Sequence, residues 1–175
     1  MNNKIKEITL LSLATAILII QEFAFSFIPN IQLTTFLIMI YVAVFGLKKT
    51  LTIVIIHVIL DNLLFGSIGM LNIVIPMFIA WIFIAIIFHF VLKITDKIFI
   101  YAIFAYFFGH LYGMIFVPFQ AFVLEIDLLS YLLVDLLWQV VMGVGNFLAV
   151  IWLYQPIEDI LKNLYQKYLI DNKKS

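Results

Sequence analysis

Long apolar segments, separated by short polar ones, repeat along this whole sequence. The first, from Ile8 to Phe27, has close to the roughly 20 residues that an α-helix needs to cross a bilayer. Hydrophobic residues make up 66% of the 175 positions, charged residues make up 11%, and the mean hydropathy is +1.19. A soluble domain carries about a quarter charged residues. The sequence therefore predicts an all-α integral membrane protein.

Proline, glycine and polar residues divide the chain into six predicted transmembrane helices in a single membrane domain. Pro29 ends the first because it restricts the residue before it, and Gly46 closes the second. Pro118 to Ser130 is predicted as an outer loop. After Pro156, apolar residues at helical spacing alternate with lysines, which predicts a short interfacial helix on the cytoplasmic face. The predicted spans are 7-27, 33-46, 49-64, 72-92, 97-117 and 130-154, and the interfacial helix is 156-170.

The distribution of basic residues predicts the orientation of the chain. Loops rich in lysine stay in the cytoplasm. The lysines lie before the first span, between the second and third, between the fourth and fifth, and after the sixth, so both termini are predicted to be cytoplasmic. All ten basic residues are lysines, at positions 4, 6, 48, 49, 93, 97, 162, 167, 173 and 174.

Carboxylates within the predicted spans all lie in the outer half. A charged group in a span is costly unless it faces protein or water, so an outward-open cavity is the simplest explanation. His57 and Asp61 share one helix face and could instead form a structural pair. Interhelical hydrogen bonding is the competing interpretation for His57, His89 and Asn146, and close helix packing is predicted at Gly143 and Gly145. The candidate ligand-binding residues are Glu22, Asp61, Asn62, His110, Asp135, Trp138 and Gln139.

Several classes of function are disfavoured by what the sequence lacks. There is no cysteine, no Gly-rich phosphate loop and no zinc-protease or serine-hydrolase motif. We therefore expect no metal, no cofactor and no enzymatic activity, with an intramembrane enzyme kept as a minor alternative. The absence of arginine and of an outward basic surface argues against nucleic acid as a partner.

The run FIPNIQLTTFLIMIYVAVFGLKKT, followed by LDNLLFGS and a helix with Pro76 and Trp81, resembles an S component of an energy-coupling factor (ECF) vitamin transporter. The resemblance covers most of the chain and rests on length, span number and hydropathy pattern. It implies a capture subunit in the bacterial plasma membrane that binds a vitamin-like micronutrient from outside. It also implies an EcfT-like membrane scaffold and two ABC-type ATPases as partners. The family's Ala-x-x-x-Ala docking contact would correspond to Ser12 and Ala16.

A second resemblance leads to a different class of function. The run VIIHVILDNLLFGSIG is similar to a segment of MreD, the rod-shape membrane protein, and would imply a structural scaffold without a ligand. A structural scaffold would not require Glu22, Asp61 and Asp135 to lie at a similar depth in the membrane. The transporter interpretation is therefore preferred. Because no lysine or arginine lies near those carboxylates, a neutral or cationic ligand is favoured over an anionic one.

Overall fold

The computed structural model describes residues 3–169, which form six α-helices and, within that range, no β-strand. The predicted all-α helical bundle is confirmed. The helices are α1 (Asn3–Phe25), α2 (Thr34–Phe45), α3 (Leu47–Leu64), α4 (Leu71–Ile94), α5 (Ile98–Leu124) and α6 (Leu128–Leu169). Four of them, α1, α4, α5 and α6, are long and apolar enough to cross a membrane.

Helix α2 is the central helix of the bundle. It is apolar around its whole circumference, which is typical of a helix without a solvent face, and nearly all of its side chains are buried. It packs against α3, α4 and α6. Its 12 residues rise only about 18 Å, less than the roughly 30 Å hydrocarbon core of a bilayer. Membrane crossing by α2, and by the more polar α3, stays a prediction.

A single residue, Gly46, connects α2 to α3. Its φ is +81°, a conformation that favours glycine. The Gly46 N–H donates to Val42 O at 3.1 Å, and Thr50 Oγ1 donates to Gly46 O at 3.0 Å. The turn lets α3 pack back along α2 and places Lys48 and Lys49 immediately after it.

Helices α5 and α6 approach each other closely at facing glycines. A Cβ added to Gly109 would lie 2.5 Å from the backbone nitrogen of Gly143, and one added to Gly143 would lie 2.8 Å from Tyr106 O. The predicted packing role is confirmed for Gly143. It is wrong for Gly145, where an added Cβ would meet nothing within 4 Å.

Helix α6 does not end at Tyr154 as predicted. It continues through Pro156 to Leu169, so the separate helix predicted at 156-170 is instead the last part of a 42-residue helix. Residue 170 lies outside the described residues. Ile157, Leu161 and Tyr165 pack against the buried apolar core of the bundle. This packing offsets the loss of the backbone hydrogen bond that Pro156 cannot donate.

Helix α5 also extends beyond its predicted end at residue 117. Most of the predicted outer loop is helical, because α5 runs through Pro118 to Leu124 and only residues 125–127 connect it to α6. Asn72 Nδ2 of α4 donates to Gln120 Oε1 at 3.1 Å, and Gln120 Nε2 donates to Asn72 O at 3.4 Å. This pair holds the extended part of α5 against the start of α4.

Contacts gather the lysine-bearing segments of α1, α3 and α6 at one end of the bundle. Lys49 Nζ lies 2.7 Å from Glu7 Oε1 and donates to Tyr165 Oη at 2.8 Å. Tyr101, near the start of α5, lies against Tyr154 with ring centroids 5.2 Å apart. We call this the lysine end, and we call the opposite end, formed by residues 26–33, 65–70 and 125–127, the lysine-free end. Lys173 and Lys174 lie outside the described residues.

Candidate functional site

Three ionisable side chains meet between α1 and α3 on the side of the lysine-free end. Glu22 Oε1 lies 3.3 Å from His57 Nε2, with the Glu22 side chain 10% exposed and His57 fully buried. The carboxyl groups of Glu22 and Asp61 interact electrostatically with each other. We call Glu22, His57 and Asp61 the carboxylate cluster. The alternative structural pair of His57 and Asp61 is not formed, since neither nitrogen of His57 has a hydrogen-bond partner, and both residues interact with Glu22 instead.

The carboxylate cluster is incompletely satisfied. Neither ring nitrogen of His57 makes a hydrogen bond of good geometry, and Asp61 Oδ1 has no hydrogen-bond partner. His57 and Glu22 are therefore close enough to form an ion pair, but their atoms are not aligned for a hydrogen bond. Buried polar atoms without partners are costly and occur more often at functional sites than in an ordinary core.

Thr34 and Gln21 hold the Glu22 carboxyl in place. Thr34 Oγ1 donates to Glu22 Oε1 at 2.6 Å and accepts from Gln21 Nε2 at 2.6 Å. Gln21 Oε1 in turn accepts from the backbone N–H of Leu33 at 2.7 Å. Because Leu33 has no capping side chain of its own, Gln21 supplies from α1 an acceptor for the start of α2. The same contacts therefore fix the helix start and orient the carboxyl.

A cavity of about 260 Å³ lies between α5 and α6. Its lining includes three of the predicted ligand-binding residues, Asp135, Trp138 and Gln139. Gln139 Nε2 donates to Asp135 Oδ2 at 3.0 Å, and Trp138 is 39% exposed. Asp135 and Gln139 are four residues apart and share one face of α6, and this face forms one wall of what we call the α5–α6 cavity.

A second cavity, of about 270 Å³, lies beside the connection between α1 and α2. Glu22, Asn30, Phe65 and Tyr112 are among its lining residues. Asn30 and Tyr112 also line the α5–α6 cavity, so the two spaces adjoin. We call the second space the α1–α2 cavity, and through it the carboxylate cluster reaches the surface.

Tyr112 stands between the two cavities and was not predicted as a site residue. Its ring lies 4.7 Å from the centroid of the buried Trp81 and 4.7 Å from that of Phe116. It interacts electrostatically with Glu22 and Asp61. The spacing of Gly109, Tyr112 and Phe116 marks one face of α5, which is the signal that could have identified it.

Three predicted ligand-binding residues line neither cavity: Asp61, which lies behind Glu22, and Asn62 and His110. Asn62 Nδ2 donates to Val58 O at 2.8 Å and contacts Met77 Sδ at 3.2 Å, while Ser67 Oγ donates to Asn62 Oδ1 at 2.6 Å. This amide fixes the connection between α3 and α4. His110 lies against Tyr106, with ring centroids 5.0 Å apart, and lines neither cavity.

The predicted docking residues lie on the outer surface of α1. Ser12 is exposed and Ala16 is half-buried. Ala14 points inward instead, and its carbonyl accepts from Tyr41 Oη at 3.0 Å. Ser12 and Ala16 are therefore accessible to another membrane helix.

Within residues 3–169, no group of three or more His, Cys, Asp or Glu side chains is arranged to hold a metal ion.

No protein-family model matches this chain, and neither a curated protein nor a solved structure matches it.

Proposed function

We propose that this chain is the substrate-capture subunit of an ECF-type importer in a bacterial plasma membrane. The observation that carries the proposal is the pair of adjoining cavities at the lysine-free end, which share Asn30 and Tyr112. Each is close to the lower limit of about 300 Å³ for small-molecule pockets. Carboxylate and amide groups supply orienting contacts, and Trp138 and Tyr112 supply apolar surface.

The lining favours a neutral or cationic ligand. Glu22 borders one cavity and Asp135 the other, and no lysine is among the described residues that line either. An anionic ligand would place like charges together in a site of low dielectric constant. A partly aromatic compound with hydrogen-bonding groups, and with an amine if it is charged, fits this lining best.

The proposed orientation has six crossings and both termini in the cytoplasm. The lysine pattern supports it, because α1, α3 and α6 bring their lysine-bearing segments to one end. Reporter fusions after Lys49 and Lys97 are expected to report the cytoplasm, and fusions at Asn30, Ser67 and Asp127 the outside. A cytoplasmic signal at Ser67 would overturn this orientation.

Binding is tested most directly at Gly113. A Cβ on Gly113 would lie 2.5 Å from Gln139 Cγ, so Gly113→Ala must move the flexible Gln139 side chain in the cavity wall. Gly145→Ala on α6 is the matched control, because its Cβ would enter open space. The ligand is first identified by mass spectrometry of the purified protein. Isothermal titration should then show that Gly113→Ala binds the ligand about tenfold more weakly, a change that corresponds to the loss of about one hydrogen bond.

Equal affinity in Gly113→Ala and Gly145→Ala would place the ligand elsewhere. If no small molecule is retained or bound by the wild-type protein, the MreD-type scaffold becomes the better interpretation. Co-purification of cell-wall elongation proteins would support that scaffold. Turnover of a substrate in isolated membranes would support the enzymatic alternative.

The proposal needs partners, because the chain has no phosphate-binding loop with which to use ATP. We propose an EcfT-like scaffold and two ABC-type ATPases, with Ser12 and Ala16 at the contact. Ala16→Trp should block close helix approach and reduce uptake while ligand binding is kept. Ile17→Trp, on a neighbouring exposed face of α1, is the control and should leave uptake unchanged. Equal uptake in both variants would move the docking surface away from Ala16.

A further inference from the structure

The carboxylate cluster places two acidic side chains beside the same buried histidine. Asp61 is 7% exposed and lies one helical turn from His57, and the Glu22 side chain is 10% exposed and reaches His57 Nε2 at 3.3 Å. The two carboxyl groups also interact electrostatically with each other. Two charged carboxylates so placed would repel strongly in a medium of low dielectric constant.

The surrounding contacts indicate which carboxyl holds a proton. Glu22 Oε1 accepts from Thr34 Oγ1 and faces His57 Nε2 at 3.3 Å, and both contacts stabilise a negative charge on Glu22. Asp61 Oδ1 receives no hydrogen bond. Glu22 is therefore the better anion and Asp61 the better proton donor.

The charge balance of the cluster favours a bound proton. With both carboxyls ionised, Glu22 and Asp61 would together carry two negative charges. A proton on Asp61 removes one of them, and a lower net charge is favoured at a site removed from water. From α2 the neighbouring polar group is Thr34, and from α5 it is the titratable hydroxyl of Tyr112. The ion pair between Lys49 and Glu7 belongs to the lysine end.

We propose that Glu22, His57 and Asp61 form a proton-binding site that is loaded at neutral pH and exchanges protons through the α1–α2 cavity. Glu22 is the exit point, because it lines that cavity while His57 and Asp61 lie behind it. The site requires neither a ligand nor a partner subunit. It therefore does not rest on the proposed transport function.

Infrared spectroscopy of the purified wild-type protein in lipid nanodiscs tests this inference. A carboxyl of ordinary pKa, about 4, is ionised at about pH 7. We therefore expect a C=O stretching band of a protonated carboxylic acid at about pH 7, shifted in D₂O and lost when the pH is raised. Absence of the band between about pH 5 and pH 8 would overturn the proposal without the use of any variant.

Variants assign the band. Asp61→Asn should abolish it, and Glu22→Gln should shift or abolish it. Asp135→Asn, which removes a carboxyl of the α5–α6 cavity, is the matched control and should leave it unchanged. A band that persists unshifted in both Asp61→Asn and Glu22→Gln, or disappears in Asp135→Asn, would place the proton elsewhere. If Glu22→Gln fails to fold, Asp61→Asn and the wild-type titration still decide the question.

Discussion

The two ends of the bundle both carry a contact between a basic side chain and a carboxylate, but in opposite surroundings. At the lysine end, Lys49 reaches Glu7 at 2.7 Å, and the two side chains are 29% and 40% exposed. Near the lysine-free end, His57 reaches Glu22 at 3.3 Å, and their side chains are 0% and 10% exposed. The first pair is partly exposed and has a further partner in Tyr165. The second pair is buried and leaves polar atoms without hydrogen bonds.

The comparison shows that burial, more than the presence of an ion pair, determines the free energy that each contact costs or contributes. Exposed pairs contribute about 0 to 1 kcal/mol, so the lysine end can carry charge at little cost. A buried pair can cost more in desolvation than it returns in attraction. The carboxylate cluster is therefore poorly explained as a device for stability, and a functional role accounts for it better.

The largest expected effect is that of Glu22→Gln. Removing one charge from the buried pair leaves His57 without its partner, and we expect a loss of about 3 kcal/mol in the free energy of unfolding. The measurement is reversible unfolding in mixed detergent micelles. Glu7→Gln at the lysine end is the control and should lose less than about 1 kcal/mol. Equal losses at Glu22 and Glu7 would erase the distinction between the two ends.

A smaller effect is expected at Lys49. Lys49→Met should lower the free energy of unfolding by about 1 kcal/mol, because it removes the contacts with both Glu7 and Tyr165. Lys48→Met, at the exposed neighbouring lysine, is the matched control. The difference between Lys49→Met and Lys48→Met should shrink as salt is added, since exposed ion pairs are screened. A loss that is insensitive to salt would mean that Lys49 acts through packing.

Asp61→Asn should change stability still less, by under about 1 kcal/mol, although Asp61 lies within the same buried cluster. If Asp61 is protonated, an amide of nearly the same shape replaces one neutral group by another. Unfolding measured beside Glu22→Gln provides the comparison. A loss as large as that of Glu22→Gln would show that Asp61 is charged in the folded protein.

The smallest effect is expected at Asp127, a carboxylate at the lysine-free end that is fully exposed. Asp127 Oδ1 accepts from the N–H groups of Leu129 and Ser130 at 2.9 and 3.2 Å, and caps the start of α6. Hydrogen bonds from the side chain and backbone of Ser130 lower the pKa of Asp127 below its ordinary value of 3.8. The capping stabilisation is therefore fully present above pH 3.8 and is lost as the pH falls through the lowered pKa.

Hydrogen exchange at the Leu129 and Ser130 amides measures this capping. Asp127→Ala should increase their exchange at neutral pH, whereas Asp127→Asn should retain part of the protection and remove its acid sensitivity. Unchanged protection in Asp127→Ala would show that α6 starts without help from this side chain.

The sequence predicts the parts of the molecule that depend on local periodicity. The helical class and the Asp135–Gln139 face follow from spacing along one segment. The grouping of Lys49 with the first and last helices follows from the distribution of lysines among the connections. The contacts between particular side chains of different helices do not follow from either pattern. His57 meets Glu22 instead of Asp61 because α1 packs on α3, and no local rule contains that information.

Tyr112 and Pro156 show two further limits. In a chain with 18 phenylalanines and 8 tyrosines, an aromatic residue on a membrane helix is usually a lipid contact, so Tyr112 gave little signal of its own. Pro156 removes a backbone donor wherever it occurs. Whether the helix stops there depends on what the next turns pack against, and here Ile157 and Leu161 pack against the buried apolar core.

The unbroken course of α6 makes the helix a mechanical connection between the two ends. Asp135, in the wall of the α5–α6 cavity, and Tyr165, bonded to Lys49, lie on this one helix, about 45 Å apart along its course. The proposed ligand would thus contact the same helix that contributes to the surface at the lysine end.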